Sequence, residues 1–176
     1  TASSLLQLPE GSGSVLQSTT LTGSWNVYTT AWQDASPIAT FEPFGIGCAG
    51  SLGAPTLAAG GGTRPALGSN FQLVVDQLPF AVAVVATGLS GSVTSTGLPL
   101  PFDLGLLGMT GCTLYADPLT LAVAAGSGSS ASWSWQLPSN PAFFGYQLFH
   151  QAFALDPAAN AFGFTASNAG IATLGL

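Results

Sequence analysis

Charged side chains are nearly absent from this sequence. Its 176 residues include no lysine, one arginine (Arg64), one histidine (His150) and seven carboxylates, so that 5% are charged, against roughly a quarter in an ordinary soluble domain. Because lysine and arginine provide most of the affinity for a phosphate backbone, we expect no binding to nucleic acid. The same scarcity weakens electrostatic repulsion between copies of the chain.

Long apolar runs are also missing, although 47% of the residues are hydrophobic. The longest run, residues 78–86, has nine residues and contains Pro79, whereas a membrane-spanning helix needs about 20. We therefore expect no insertion into a membrane. Residues 1–7 lack the basic start and apolar stretch of a signal peptide, and we expect residue 1 to be a mature terminus left by cleavage.

The two cysteines are too few for a zinc site with four protein ligands, and only His150 is available to join them. We predict a disulfide between Cys48 and Cys112, which closes a loop of about 65 residues and places the chain in an oxidising compartment. The alternative is a pair of unrelated buried thiols in a reducing compartment.

Glycine, proline and alternating apolar residues are what the sequence has in abundance. In residues 130–137 apolar and polar side chains alternate, which predicts a strand with both tryptophans of that segment on its apolar face. Residues 70–77 and 81–87 are predicted to be two strands that form a hairpin. The other predicted elements are strands at 114–116, 119–124, 146–155, 161–166 and 171–176, a turn at 168–170 and a helical turn at 141–144. This spacing predicts an all-β sandwich of antiparallel sheets, of jelly-roll or immunoglobulin-like type, rather than a barrel.

Residues 1–43 differ from residues 44–176, which we predict to be the sandwich domain. This N-terminal arm is rich in Ser, Thr and Gln, and either adds strands to its own sandwich or donates one to a neighbouring subunit. The segment predicted for donation carries no charge and no proline. It comprises Ser14, Val15, Leu16, Gln17, Ser18, Thr19, Thr20, Leu21 and Thr22.

Candidate catalytic groups are sparse. His150 lies on a predicted strand without a neighbouring acid, which is typical of a structural histidine. The acids are scattered, so that a carboxylate pair for glycoside hydrolysis is not favoured. We predict that the chain is not an enzyme and has no cofactor. The alternative is a calcium site at one end of the sandwich, formed by Asp103, Asp117, Asp156 and Asn160.

Four tryptophans, Trp25, Trp32, Trp133 and Trp135, are candidates for a platform on which sugar rings stack. Trp133 and Trp135 share a predicted face with Ala131 and Leu137, which favours burial in the core instead.

Several short motifs resemble a known family. They are residues 44–51 (FGIGCAGS), 64–68 (RPALG), 111–115 (GCTLY), 155–160 (LDPAAN) and Ser167-Asn168. Together they are similar to a Gly/Leu-rich, two-cysteine β-domain that is often C-terminal in large secreted proteins of environmental Gram-negative bacteria. That family has no assigned activity, so the resemblance implies a secreted location and a modular domain. The usual large upstream domain is not in this sequence, which favours a dedicated small subunit.

These observations predict a secreted, cell-surface structural protein without enzymatic activity. We expect it to form a filament or surface layer with copies of itself, through β-strand and apolar contacts. The alternative function is an adhesion module that binds surface glycans or another protein through exposed aromatic side chains.

Overall fold

The computed structural model describes residues 5–7, 15–17 and 38–176. The chain divides into two units, Thr1–Ser36 and Pro37–Leu176. In the first unit, β1 (Leu5–Gln7) and β2 (Val15–Gln17) pair antiparallel. β2 is the described part of the predicted arm; Ser14 and residues 18–22 lie outside the described residues.

The second unit is built from β-strands, which confirms the all-β class. Its strands are β3 (Thr40–Phe44), β4 (Thr56–Ala59), β5 (Asn70–Asp76), β6 (Val82–Gly88), β7 (Phe102–Asp103), β8 (Thr113–Leu114), β9 (Thr120–Ser127), β10 (Ser130–Gln136), β11 (Gln147–Leu155) and β12 (Phe164–Thr173). Two 3-10 turns, Leu104–Leu107 and Pro141–Phe143, complete it. Asn140 caps the second turn and Pro141 begins it, at the position where a helical turn is predicted.

Eight strands form one antiparallel sheet in the order β3-β12-β11-β6-β9-β10-β5-β4, which is nearly closed into a barrel. The predicted sandwich of two stacked sheets is not confirmed. β3 spans the predicted boundary at residues 43 and 44, and it pairs with β12 along its whole length.

The end of the chain explains part of this difference. The prediction of a turn at residues 168–170 is wrong, because β12 is one strand of ten residues that pairs with β3 and β11 on its two sides. The pairing shifts at this point, where Ser167 and Asn168 together face Ala152. This β-bulge bends the strand without ending it. The polar and glycine residues that predict a turn therefore lie inside a continuous strand.

The predicted hairpin between β5 and β6 is also wrong. β5 pairs with β4 and β10, whereas β6 pairs with β9 and β11, because the β9–β10 hairpin inserts between them. The connection crosses the end of that hairpin, where the backbone N–H of Leu78 donates to the carbonyl of Ser129 at 2.9 Å. The side chain of Leu78 is fully buried, and hence the crossing is anchored in the core.

The inner face of the sheet holds the main core. Phe71, Leu73 and Val75 of β5 are buried there, as their alternation predicts. Many of the facing positions on β6, β9, β11 and β12 are alanine, which leaves room for the larger side chains from β5. At Gly170 the ring of Phe41 lies directly against the backbone, in space that a Cβ atom would occupy.

Residues 89–117, between β6 and β9, form an excursion over the outer face of β11 and β12. The excursion has its own apolar cluster, which includes Leu104 and Met109 and packs against Phe153 and Phe164. The predicted disulfide is confirmed: Cys112 of the excursion is bonded to Cys48, and the two Cα atoms are 4.8 Å apart. The excursion therefore buries the outer face of β11 and β12, and the main core buries their inner face.

Candidate functional sites

The only histidine of the chain lies inside the nearly closed sheet. His150 of β11 is fully buried, and its Nδ1 atom is 2.8 Å from the hydroxyl of Thr87 on β6. In the part of the chain that the structure describes, its Nε2 atom has no hydrogen-bond partner, and the ring centroid of Trp133 is 6.5 Å away. Burial lowers the pKa of His150 to about 4, because an apolar environment disfavours the charged ring. The histidine is therefore neutral at physiological pH.

A hydroxyl and an imidazole within hydrogen-bond distance are two members of a nucleophilic triad. Here Nε2 of His150 has no partner among the described residues, so that no described acid orients the ring. Thr87 is also nearly buried and sits on a regular strand. The structural role of the histidine stays a prediction.

The four candidate calcium ligands make separate hydrogen bonds with different partners. Their partners are Gly105 for Asp103, Ser95 for Asp117, Ser51 for Asp156, and Gly163 and Phe164 for Asn160. Within residues 38–176, no three acidic, histidine or cysteine side chains are grouped as metal ligands. Asp103 and Asn160 thus bond within their own turns, whereas Asp156 bonds to Ser51, which is 105 residues away in the sequence.

Trp133 and Trp135 lie on the inner face of β10 and pack against the main core. Their rings stack on each other, with centroids 5.8 Å apart. Both side chains are half-buried, whereas Ala131 and Leu137 on the same face are fully buried. Trp25 and Trp32, the other members of the predicted platform, lie outside the described residues.

Gln151 is a fully buried polar residue that sequence reasoning missed. Its Oε1 accepts from the N–H of Tyr115 at 2.8 Å, and its Nε2 donates to the carbonyls of Thr113 and Ser167. Gln151 therefore fastens the excursion to the outer face of β11. Because His150 and Gln151 are adjacent, they point to opposite faces of the sheet, and both are buried only because each face is covered.

Within residues 38–176, one outer surface of the sheet is apolar and exposed. It consists of Val82 on β6 with Leu121, Val123 and Ala125 on β9, and we call it the β6–β9 outer face. Leu121 and Val123 are 66% and 64% exposed although β9 lies between two other strands. The register places Val82 opposite Ala125, so that these side chains form one contiguous patch.

The strands around this patch carry no charge. β6, β9 and β10 are neighbours in the sheet, and their sequences contain no acidic or basic residue. On β10 the same outer surface continues as Ser130, Ser132 and Ser134. Three adjacent strands thus present an outer surface without charge.

The fold defines an all-β, disulfide-linked protein. Comparison with family models, with curated proteins and with solved structures finds no match to this chain. The resemblance to a Gly/Leu-rich domain of secreted proteins stays a prediction. Within the described residues, no helix is long and apolar enough to cross a membrane.

Proposed function

We propose that this chain is a non-enzymatic structural protein, a subunit that assembles with copies of itself into an extracellular filament or surface layer. The observation that carries this proposal is the β6–β9 outer face. A contiguous exposed apolar patch on a folded domain is typical of a surface that binds another protein. Leu121 and Val123 are the centre of that patch.

The absence of charge on β6, β9 and β10 favours a second copy as the partner. A charged partner finds no complementary charge there, whereas a different uncharged surface of a second copy buries against it without desolvating an ion. A head-to-tail arrangement that does not close on itself then propagates into a filament.

The sheet favours contact through a face over strand addition at β4. Leu57 of β4 already uses both of its backbone groups in hydrogen bonds with Asn168 of β12. An incoming strand at this edge would have to displace Asn168. The arm segment 14–22 is therefore proposed as a separate contributor, whose acceptor is not this part of the sheet.

The disulfide is compatible with an extracellular or otherwise oxidising location. Secretion to the cell surface is part of the proposal, supported by the disulfide and by the resemblance described above. A structural protein outside the cell requires a stable fold, to which the disulfide contributes.

The test compares the full chain with the double variant Leu121→Ser/Val123→Ser by sedimentation velocity and negative-stain electron microscopy. We expect the full chain to assemble and the double variant to be monomeric. The matched control is Leu106→Ser, because Leu106 is 82% exposed but lies in the excursion. This control should assemble like the full chain.

A monomeric full chain, or assembly that persists unchanged in the double variant, contradicts the proposal. Deletion of residues 1–22 tests the arm separately. If the deleted protein still assembles, the arm is unnecessary and the outer face alone remains as the contact. If it is folded but monomeric, the arm is required.

A second candidate function, adhesion through surface aromatics, is favoured by one exposed pair. Tyr146 is 54% exposed, and its ring meets that of Phe143 edge to face with centroids 5.7 Å apart. Exposed aromatic faces stack with sugar rings. Binding on a glycan array that is lost in Tyr146→Ala but kept in Phe80→Ala supports this function; an array without binding contradicts it.

A further inference from the structure

A small apolar cavity opens at one end of the nearly closed sheet, on the inner side. It lies where β6 ends, β9 begins, β10 ends and β11 begins, which is a single end because neighbouring strands are antiparallel. Its volume is about 190 Å³. Leu89, Leu119, Trp135 and Leu148 form its walls, and Thr87 and Thr120 add two hydroxyl groups.

The two hydroxyls are not equivalent. Thr120 donates its hydrogen to the backbone carbonyl of Thr87 at 3.3 Å. The hydroxyl of Thr87 is 2.8 Å from Nδ1 of His150. A hydroxyl has one hydrogen and two lone pairs, so that Thr87 keeps capacity for two further hydrogen bonds after it pairs with the histidine.

His150 makes this hydroxyl adaptable. A neutral imidazole either accepts from or donates to Thr87, depending on which ring nitrogen carries the hydrogen. Thr87 is therefore able to accept a hydrogen bond from a molecule in the cavity, or to donate one to it. Among the described residues, no charged side chain lines the cavity, and an ion is consequently a poor match.

The size of the cavity sets the size of its ligand. An apolar protein cavity of about 150 Å³ binds benzene, and the cavity here is somewhat larger. The indole ring of Trp135 offers a flat face for an aromatic ring. A ligand with one aromatic ring and one hydroxyl group fits the volume of the cavity, its apolar side chains and its two threonine hydroxyls.

We propose that this cavity binds a small, uncharged aromatic alcohol of the phenol class. The ring lies between Leu119, Trp135 and Leu148, and the hydroxyl group bonds to Thr87. For a ligand of this size we expect a dissociation constant on the order of 0.1 to 1 mM. This site is separate from the β6–β9 outer face, and it does not depend on self-assembly.

Two probes that differ by one hydroxyl group test the site: 4-fluorophenol and fluorobenzene, observed by 19F NMR in the presence of the full chain. We expect the 4-fluorophenol signal to broaden at low probe concentration and fluorobenzene to bind more weakly. Leu119→Ala, which removes part of the cavity wall, should weaken the binding of both probes. The matched control Leu121→Ala alters an exposed leucine of β9 outside the cavity and should leave both unchanged.

The hydroxyl contact is tested at Thr87. Thr87→Val should lower the affinity for 4-fluorophenol about fivefold, which is the contribution of one neutral hydrogen bond. It should leave the affinity for fluorobenzene unchanged, and Thr87→Ser should keep both affinities. If Thr87→Val fails to fold, the comparison of Leu119→Ala with Leu121→Ala still decides. The proposal is overturned if neither probe broadens, or if Leu119→Ala and Leu121→Ala affect the probes equally.

Discussion

The side-chain amide of Asn168 bonds to both backbone groups of Leu57. The N–H of Leu57 donates to Oδ1 at 2.8 Å, and Nδ2 donates to the carbonyl of Leu57 at 3.0 Å. Asn168 thus takes the place of a paired strand residue between β12 and β4, the point at which the sheet comes closest to closing. The bulge at Ser167 and Asn168 makes this possible, because it removes Asn168 from the regular pairing with β11.

Replacement of Asn168 by alanine should lower the free energy of unfolding by about 3 kcal/mol. The N–H and carbonyl of Leu57 would lose their partners beside a buried side chain, and an unsatisfied buried group is worth roughly 1 to 3 kcal/mol. Urea unfolding monitored by tryptophan fluorescence measures the change. Asn140→Ala is the control, because Asn140 only caps an exposed 3-10 turn; equal losses in the two variants would contradict the closing role of Asn168.

Replacement of Gln151 by leucine should release the excursion from β11. Leucine has a similar size but cannot bond to the N–H of Tyr115 or to the carbonyls of Thr113 and Ser167. We expect a loss of about 3 kcal/mol and faster hydrogen exchange at the amide of Tyr115. Gln147→Leu, an exposed position at the start of the same strand, is the control. Unchanged exchange at Tyr115 in Gln151→Leu would show that the excursion is held by other contacts.

Stability should fall as the pH falls from 6.5 towards 4. The unfolded chain protonates its histidine near pH 6.5, whereas the folded protein keeps His150 neutral until about pH 4. The unfolded state therefore binds more protons in this window, which favours unfolding by up to about 3 kcal/mol.

Urea unfolding at several pH values between 4 and 7 measures this dependence. His150→Gln removes the titrating group, and since the chain has no other histidine its stability should be nearly flat from pH 7 to 5. An identical pH dependence in His150→Gln and the natural chain would exclude His150 as the cause.

Reduction of the disulfide should destabilise the protein by roughly 4 kcal/mol, the entropy of a loop whose ends are 64 residues apart. We expect a lower urea midpoint in the presence of dithiothreitol. The double variant Cys48→Ala/Cys112→Ala is the control, because its midpoint should be low in both conditions. A midpoint that dithiothreitol does not change, in a protein shown to be reduced, would contradict this estimate.

Most strands are predictable from local pattern. The alternation in residues 70–77 and 130–137 leads to β5 and β10 within one or two residues, because one face of each strand packs on the core. Which strands pair with each other is harder to predict from the sequence. Residues 81–87 follow β5 directly and suggest a hairpin, but β6 pairs instead with β9 of the β9–β10 hairpin, which begins 32 residues after β6 ends.

The candidate sites divide in the same way. The disulfide is predictable by elimination, since Cys48 and Cys112 are the only cysteines. Asn168 is not, because its sequence context, Asn-Ala-Gly, is that of a turn. Only the bulge in β12 shows that its amide bonds to a strand that is distant in sequence.

The sequence by itself determined the all-β class, the cysteine pair and the uncharged strands around Leu121 and Val123. These properties depend on residue type and on alternation along the chain, which are local. The near closure of the sheet, the burial of His150 and Gln151 on opposite faces, and the exposure of the β6–β9 outer face were decided by the tertiary structure. The physical reason is that burial depends on which segments cover a strand, and the covering segments here are distant in sequence.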